Sequence, residues 1–271
     1  MRKIRFAAGI TFYNPTKEEI DKALSLEDSF DKVFIFDNSD PSYIKPRYEF
    51  PEKYEILTEN ENKGLPYAYN SIIERCHDID FLCTMDQDSV FLPNDINNIK
   101  KFIETENPNV GIMAPFVDYG HNNRPSAKKV EKKEWVITSG SFVNLNILRN
   151  EGFAYDDNYF IDKFEIDLCM QYKRKGYDVL MYNGSVLHQA LGEESGHSHP
   201  NHSTLRHYYL FRNRFYFNSK WNQGIKKVYL NLAQTSRHIF LIILYEDEKC
   251  KKIKTLKSAI DDYRYGRFGK K

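Results

Sequence analysis

The chain has 271 residues, with 39 Lys and Arg against 38 Asp and Glu and a formal net charge of +1. That length holds one large domain, or one domain with an appendage, and the near-neutral balance gives no electrostatic reason to expect a nucleic-acid partner. Four scattered cysteines (Cys76, Cys83, Cys169, Cys250), none in a CxxC pair, argue against a disulfide framework or a cysteine zinc site and fit a reducing cytosol.

No secretory leader is expected, because residues 1–15 run straight into a strand pattern. No apolar stretch approaches the roughly 20 residues needed to span a bilayer. Residues 5–12 read as a strand ending at Asn14-Pro15. Thr16 is placed to cap a helix running to Leu26, with Glu19 at capping-box spacing. Residues 31–40 are a second apolar strand, ending in Asp37-Asn38-Ser39, and 54–59 a third. Leu65 to Cys76 reads as a helix, 79–86 as a strand, 93–104 as a helix and 109–117 as a strand. This order predicts an α/β fold with a mostly parallel sheet covered by helices. Ligands of such sheets bind at the carboxyl ends of the strands. Asn14, Asp37, Asn60 and Asp86 all sit at such ends.

The strand over 79–86 runs into Asp86-Gln87-Asp88. Alternation puts Asp86 and Asp88 on one face and Gln87 on the other. Two like charges that close repel unless a cation lies between them, and hard carboxylate oxygens suit magnesium or manganese. A polar turn after a strand is the alternative. There is no GxGxxG after the first strand and no GxxxxGK[ST], which argues against hydride-transfer dinucleotides and P-loop chemistry.

Residues 135–138 (WVIT) read as a strand, followed by the small turn Thr138-Ser139-Gly140-Ser141. Such a turn lets a substrate approach the backbone; an ordinary strand kink is the alternative. Asp167 to Lys175 reads as a helix stopped by Gly176, with Asp162 and Glu165 near its start. A helix dipole favours acids there whatever their role. His188 ends a strand pattern over 179–188. His197, His199 and His202 form a second cluster, read as a loop near the site in preference to a metal centre. Arg206, Tyr208, Tyr209, Arg212 and Asn213 fall on a predicted helix, and arginine is a natural diphosphate fork. The tail from about Trp221 joins an apolar helical segment to a basic one. It suits an anionic membrane surface, or packing on the domain or on a second copy of the chain.

In chain order TFYNP, FDNSD, ENKGLPYAYNSI, DQD, ITSGSFVN, FIDKFEIDLCMQYKRKGY, VLHQALGE, YYLFRNRFYF and YGRFGKK resemble the family 2 glycosyltransferases. The similarity is greatest to the bacterial rhamnosyltransferase and galactofuranosyltransferase branch. It implies a GT-A-type, Rossmann-like catalytic domain over 1–204, with a nucleotide-sugar half (1–117) and an acceptor half (118–204). Residues 205–271 would be a C-terminal helical extension. The implied reaction is metal-dependent, inverting transfer from dTDP-rhamnose, UDP-galactofuranose or a UDP-hexose. The acceptor would be a hydroxyl of a bacterial surface glycan or lipid-linked oligosaccharide, met in the cytoplasm or at the inner face of the membrane. Manganese or magnesium would be held by Asp86, Asp88 and His188. Donor contacts would come from Thr11, Asn14, Asp37, Asn38, Asn62, Gly64, Asn70, Gln87, Arg206 and Arg212. Acceptor contacts would come from Ser139, Gly140, Ser141 and Asp167. Glu165 stands where the family usually has an Asp as general base, and Asp162 is the second candidate. A nucleotidyltransferase would carry a Gly-rich basic N-terminal loop that this sequence lacks. An inactive scaffold of the same fold would lack an acid, and Asp86, Asp88 and Glu165 are all present.

Overall fold

The structure is a computed structural model that describes all residues except 1, 45, 47, 107–108, 121–123, 190–193 and 196–198. Its strands are β1 (Phe6–Phe12), β2 (Lys32–Asp37), β3 (Tyr54–Thr58), β4 (Phe81–Asp86), β5 (Val90–Phe91), β6 (Val110–Asp118), β7 (Val130–Lys132), β8 (Ser141–Asn144), β9 (Asp178–His188), β10 (Glu194–Ser195) and β11 (His199–Pro200). Its helices are α1 (Lys17–Leu24), α2 (Leu65–Arg75), α3 (Pro93–Glu106), α4 (Leu145–Glu151), α5 (Phe164–Arg174), α6 (Thr204–Trp221), α7 (Gly224–Tyr245) and α8 (Lys249–Arg264). Two compact units result: Met1–Asp157 with Glu165–Ala190, and Asn158–Phe164 with Leu191–Lys271.

The first unit is built on a sheet in the order β3-β2-β1-β4-β8-β6-β9-β5, with β7 also on β9. β3, β2, β1 and β4 are parallel, as the alternating pattern predicts. β1 is small and wholly buried (FAAGITF), so helix and neighbouring strand close tightly on it. A Cβ added at Gly9 would meet Leu82 Cδ1 at 3.1 Å and Ile72 Cγ2, on α2, at 3.2 Å. The Thr16–Glu19 capping box at the start of α1 is present in both directions. Phe6 stacks on Phe81 and meets Phe142 edge-on, with centroids 5.7 and 6.0 Å apart. Each such pair adds about 1 kcal/mol to simple burial, so the core is densest beneath the middle strands.

The second half of the sheet is mixed. β6 and β9 are parallel, β8 runs antiparallel between β4 and β6, and β5 and β7 are antiparallel to β9. Residues 135–138, expected as a strand, are irregular, and the strand begins at Ser141. The chain must turn first: Ser141 N–H donates to Thr138 O (3.1 Å) and Gly140 N–H to Thr84 O (2.7 Å). Gly140 has φ +76°, and a Cβ there would meet Pro115 Cγ at 3.0 Å, so glycine is required.

In the second unit α6, α7 and α8 share a core of Tyr208, Tyr209, Phe211, Ile242 and Ala259, joined by Phe160 and Ile161. α7 leaves Ile225, Val228, Tyr229, Leu232, Phe240 and Ile243 exposed. No helix among the described residues is long and apolar enough to cross a membrane.

Candidate functional site

Strand register fixes the edge of the first unit. Asp86 lies opposite Thr11, and Phe12 opposite Asp37, at the carboxyl ends of β4, β1 and β2. Asp37 is buried, and its Oδ1 accepts from Ser39 N–H at 2.9 Å. Asn14 takes a left-handed conformation (φ 49°), donating its N–H to Ser39 Oγ and accepting from Asp40 N–H. Asn38 is buried and ties this edge to the next turn: its amide donates to Gly64 O (3.2 Å) and accepts from Lys63 N–H (3.0 Å). Asn62 accepts from Gly64 N–H (2.9 Å), and Gly64, at φ 89°, opens α2. Thus Asp37, Asn14 and the 62–64 turn are assembled at one edge, with Asn38 as the brace. Thr11 is buried at the same edge.

Asp86 and Asp88 leave the end of β4. Asp86 N–H donates to Ser139 Oγ (3.1 Å), and Ser139 Oγ donates to Ser89 Oγ (2.7 Å). Ser139 and Ser141 are buried, and Ser141 Oγ donates to Ile137 O. The 138–141 turn therefore supports the aspartate turn from behind, and the Ser139 and Ser141 hydroxyls are spent on internal bonds. Gln87 is also committed: it exchanges two bonds with the Tyr13 backbone and donates to Glu19. Although Asp88 keeps solvent access, its carboxyl is pushed above its ordinary range, first by desolvation and then by the charge of Glu19. Burial, and then the charge of Asp86, raise the hydroxyl pKa values of Tyr69 and Tyr119.

His188 is not gathered with the aspartates. Its Nδ1 lies 3.3 Å from Asp118 Oδ2, while the next residue, Gln189, donates to Asp86 Oδ2 at 3.2 Å. Consecutive residues leave a strand on opposite faces, so only one of the two reaches the aspartate side. Among the described residues no three His, Cys, Asp or Glu side chains are grouped to hold a metal. The donor chemistry of Asp86 and Asp88 fits a hard cation; the third protein ligand is not assembled. Gln189 and Tyr119 were not foreseen, and the only sequence signal for Gln189 was its place after His188.

Asn70 is tied to the loop before α5. Its amide donates to Tyr155 O (2.8 Å) and Asp157 Oδ1 (3.0 Å) and accepts from Tyr155 N–H (3.1 Å). Asp167 is fully buried, and Gln171 donates to it at 2.9 Å. Glu165 lies in the first turn of α5 and lines a small crevice, of about 10 Å³, with Thr138, Ser141 and Tyr155.

Asp162, Arg206 and Arg212 belong to the second unit. Phe160, Asp162 and Lys163 all have positive φ, at 63°, 60° and 75°. Such residues cost about 1–3 kcal/mol each and persist only where surrounding structure enforces them. The enforcement comes from α6. Arg212, 1% exposed, donates to the carbonyls of Asn158, Tyr159 and Gly269. Asn213 donates to the carbonyls of Tyr159, Ile161 and Asp162. The expectation of Arg212 as a diphosphate fork is thus corrected: its guanidinium is buried and spent on the loop. Arg206 is half-exposed and donates to Asp162 Oδ1 at 3.0 Å. Asp162 Oδ2 is buried with no hydrogen-bond partner among the described residues. Of the histidine cluster, His197 and the His199 side chain lie outside the described residues, and His202 is half-buried.

The sequence model of Glycosyl transferase family 2 matches residues 9–175. The chain belongs to this family. No curated protein matches the sequence. Solved structures similar to this glycosyltransferase include S. aureus TarS 1–349 in complex with UDP-GlcNAc, at 10% identity and TM-score 0.59, covering 98% of this chain and 93% of that one. TarS 1–349 in complex with UDP aligns at TM-score 0.54 and 10% identity, over 97% and 92% of the two chains. GalNAc-T7 with UDP, GalNAc and Mn2+ aligns at TM-score 0.56 and 10% identity, over 87% of this chain and 55% of that one. At such identities the likeness shows the fold: this glycosyltransferase is mixed α/β, with a central sheet flanked by helices as in GT-A-like enzymes.

Proposed function

We propose that this glycosyltransferase moves a sugar, with inversion, from a nucleotide diphosphate donor to a hydroxyl of a bacterial cell-surface glycan intermediate. The observation that carries the reading is the pair Asp86 and Asp88 at the carboxyl end of β4, on the edge that also holds buried Asp37. The TarS and GalNAc-T7 structures were solved with UDP or UDP-GlcNAc, the latter enzyme also with Mn2+. They favour a uridine donor, UDP-galactofuranose or a UDP-hexose, with dTDP-rhamnose as the other candidate. Asp37 is suited to accept from a pyrimidine N–H. Asp86 and Asp88 would hold manganese or magnesium. A bound cation would neutralise the donor diphosphate and stabilise it as the leaving group.

Two carboxylates compete for the role of base. Glu165 is the residue suggested by the family pattern. Asp162 is the second candidate: α6 clamps its backbone, and its Oδ1 pairs with Arg206. Parallel kinetics of Asp162→Asn and Glu165→Gln separate them. The base variant loses kcat with nucleotide binding intact, and equal losses in both would reject the choice.

The exposed face of α7 and Lys249, Lys251, Lys254 and Lys257 on α8 support peripheral contact with an anionic membrane that presents a lipid-linked acceptor. Sedimentation with anionic and neutral vesicles tests this. A dimer in solution with no vesicle binding would assign the face to a second copy. The donor reading is tested by calorimetric titration of UDP and dTDP, with and without manganese, against wild type and Asp88→Ala. Metal-dependent binding lost in the variant is expected; absence of binding by the wild type would reject the reading.

A further inference from the structure

The second unit contains an open pocket of about 390 Å³ that the sugar-transfer reading does not use. Its polar lining includes Lys163, His202, Arg214, Gln234, Arg237 and His238. Glu246 is the one acid on this wall among the described residues. It is already engaged: Oε2 accepts from His207 Nε2 (2.7 Å) and Lys252 Nζ (2.9 Å).

The hydrogen bonds fix the direction of the network. Arginine and lysine only donate, and an ionised carboxylate only accepts. Arg214 Nη2 lies 3.0 Å from His238 Nδ1, so that nitrogen accepts and His238 carries its proton on Nε2. His238 Nε2 then donates to His207 Nδ1 at 2.9 Å, leaving the His207 proton on Nε2 for Glu246. The chain runs Arg214, His238, His207, Glu246, and both imidazoles are neutral. Burial holds His207 below its ordinary pKa and His238 down to about 3, consistent with that assignment.

Arg214 therefore meets a neutral ring where a half-buried cation would be expected to meet a carboxylate. Burial alone pushes its pKa down to about 10. Its Nη1 is buried and has no hydrogen-bond partner among the described residues. A half-buried guanidinium with a buried, unpaired N–H group is costly unless an anion completes it. Arg237 and Lys163 add positive charge to the same wall.

We propose that this pocket binds a phosphate group, with Arg214 and Arg237 as its principal donors. The guanidinium fork matches phosphate oxygens, and the volume admits an organic group attached to them. The phosphate can be the free ion or a group carried on a polyol or sugar, and the test separates the two.

The full chain is titrated calorimetrically with inorganic phosphate, glycerol 3-phosphate and glycerol, as wild type, Arg214→Gln and Arg237→Ala. Glycerol should give no binding, and either phosphate probe should bind and weaken about tenfold or more in each variant. Tighter binding of glycerol 3-phosphate assigns an organic phosphate, and equal binding assigns the free ion. If Arg214→Gln fails to fold, the exposed Arg237→Ala decides alone. No heat from either phosphate probe, or binding unchanged in Arg237→Ala, overturns the proposal.

Discussion

The aspartate edge of the first unit and the 158–164 loop of the second place their acids by different means. Asp86 is set by strand register: β4 lies beside β1, and Thr11 faces Asp86. Register belongs to the whole sheet, so the position of Asp86 does not depend on its own side chain. Asp162 instead sits on a backbone that its own residues disfavour, held by two side chains, Arg212 and Asn213. A polar side chain lost from the edge should therefore cost function and leave stability nearly intact. A polar side chain lost beneath the loop should cost stability first.

The largest expected effect follows from that contrast. Arg212→Ala should destabilise the second unit by about 3–5 kcal/mol, because it leaves several buried carbonyls without donors. Arg212→Lys keeps the charge without the fork and should recover little of it. Urea unfolding followed by Trp221, at the end of α6, reads this directly once Trp135 is replaced by Phe. Full stability in Arg212→Ala, together with lost donor binding, would break the comparison and return Arg212 to the donor.

Next in size is Asp88→Ala. It should lower activity about 100-fold or more, equivalent to nearly 3 kcal/mol of transition-state stabilisation, with little change in the urea midpoint. A large fall in stability instead would show that Asp88 holds the turn.

Acid should act on the second unit through its histidines. His238 is held down to about 3 and His207 below 6.5, so the unfolded chain binds protons that the folded chain refuses. Stability is then fully present above about pH 6.5 and is lost as pH falls toward the folded values. Burial raises the Glu246 carboxyl, but Lys252 and His207 outweigh it and hold it below 4.5, so its contribution also fades in acid. Each histidine can add up to about 1.4 kcal/mol per pH unit to the slope. Urea titrations across this range, with His238→Gln as the flattened control, measure it. A slope unchanged in that variant would place the proton uptake elsewhere.

The same contrast explains what could be read before the structure. The parallel strands, the Thr16 cap and the carboxyl edge were legible because periodicity and short spacings encode them. Gln87, Asn38, Asn70, Ser139 and Arg212 looked like ligand contacts because a polar residue in a family-like motif has two uses that local spacing does not separate. Their partners are distant in sequence, Tyr13, Gly64, Tyr155, Ser89 and Asn158, and only the fold brings them together. The left-handed residues 160, 162 and 163 were invisible for a related reason. None is glycine or asparagine, and only Asp162 is of a type that favours φ above zero, so three such residues together had no local signal. The missing strand at 135–138 was a wrong period reading: WVIT has strand composition, but the turn at Gly140 takes precedence.

Asn70 gives the smallest effect and the finest test of this division. Its motif places it beside the nucleotide, whereas its amide pairs reciprocally with the Tyr155 backbone and reaches Asp157. Asn70→Ala should cost about 1–2 kcal/mol, the usual consequence of leaving partly buried backbone groups without partners. The KM for the donor should stay within about twofold, since a side chain not touching the donor contributes no uniform binding. Asn70→Asp sharpens the result: it retains the acceptor for Tyr155 N–H but loses the donor to Tyr155 O and sets a charge beside Asp157. It should therefore be less stable than Asn70→Ala while donor KM again holds. A KM that rises tenfold in both variants at unchanged stability would mean that Asn70 reaches the donor, and that polar residues on α2 follow the logic of the aspartate edge after all.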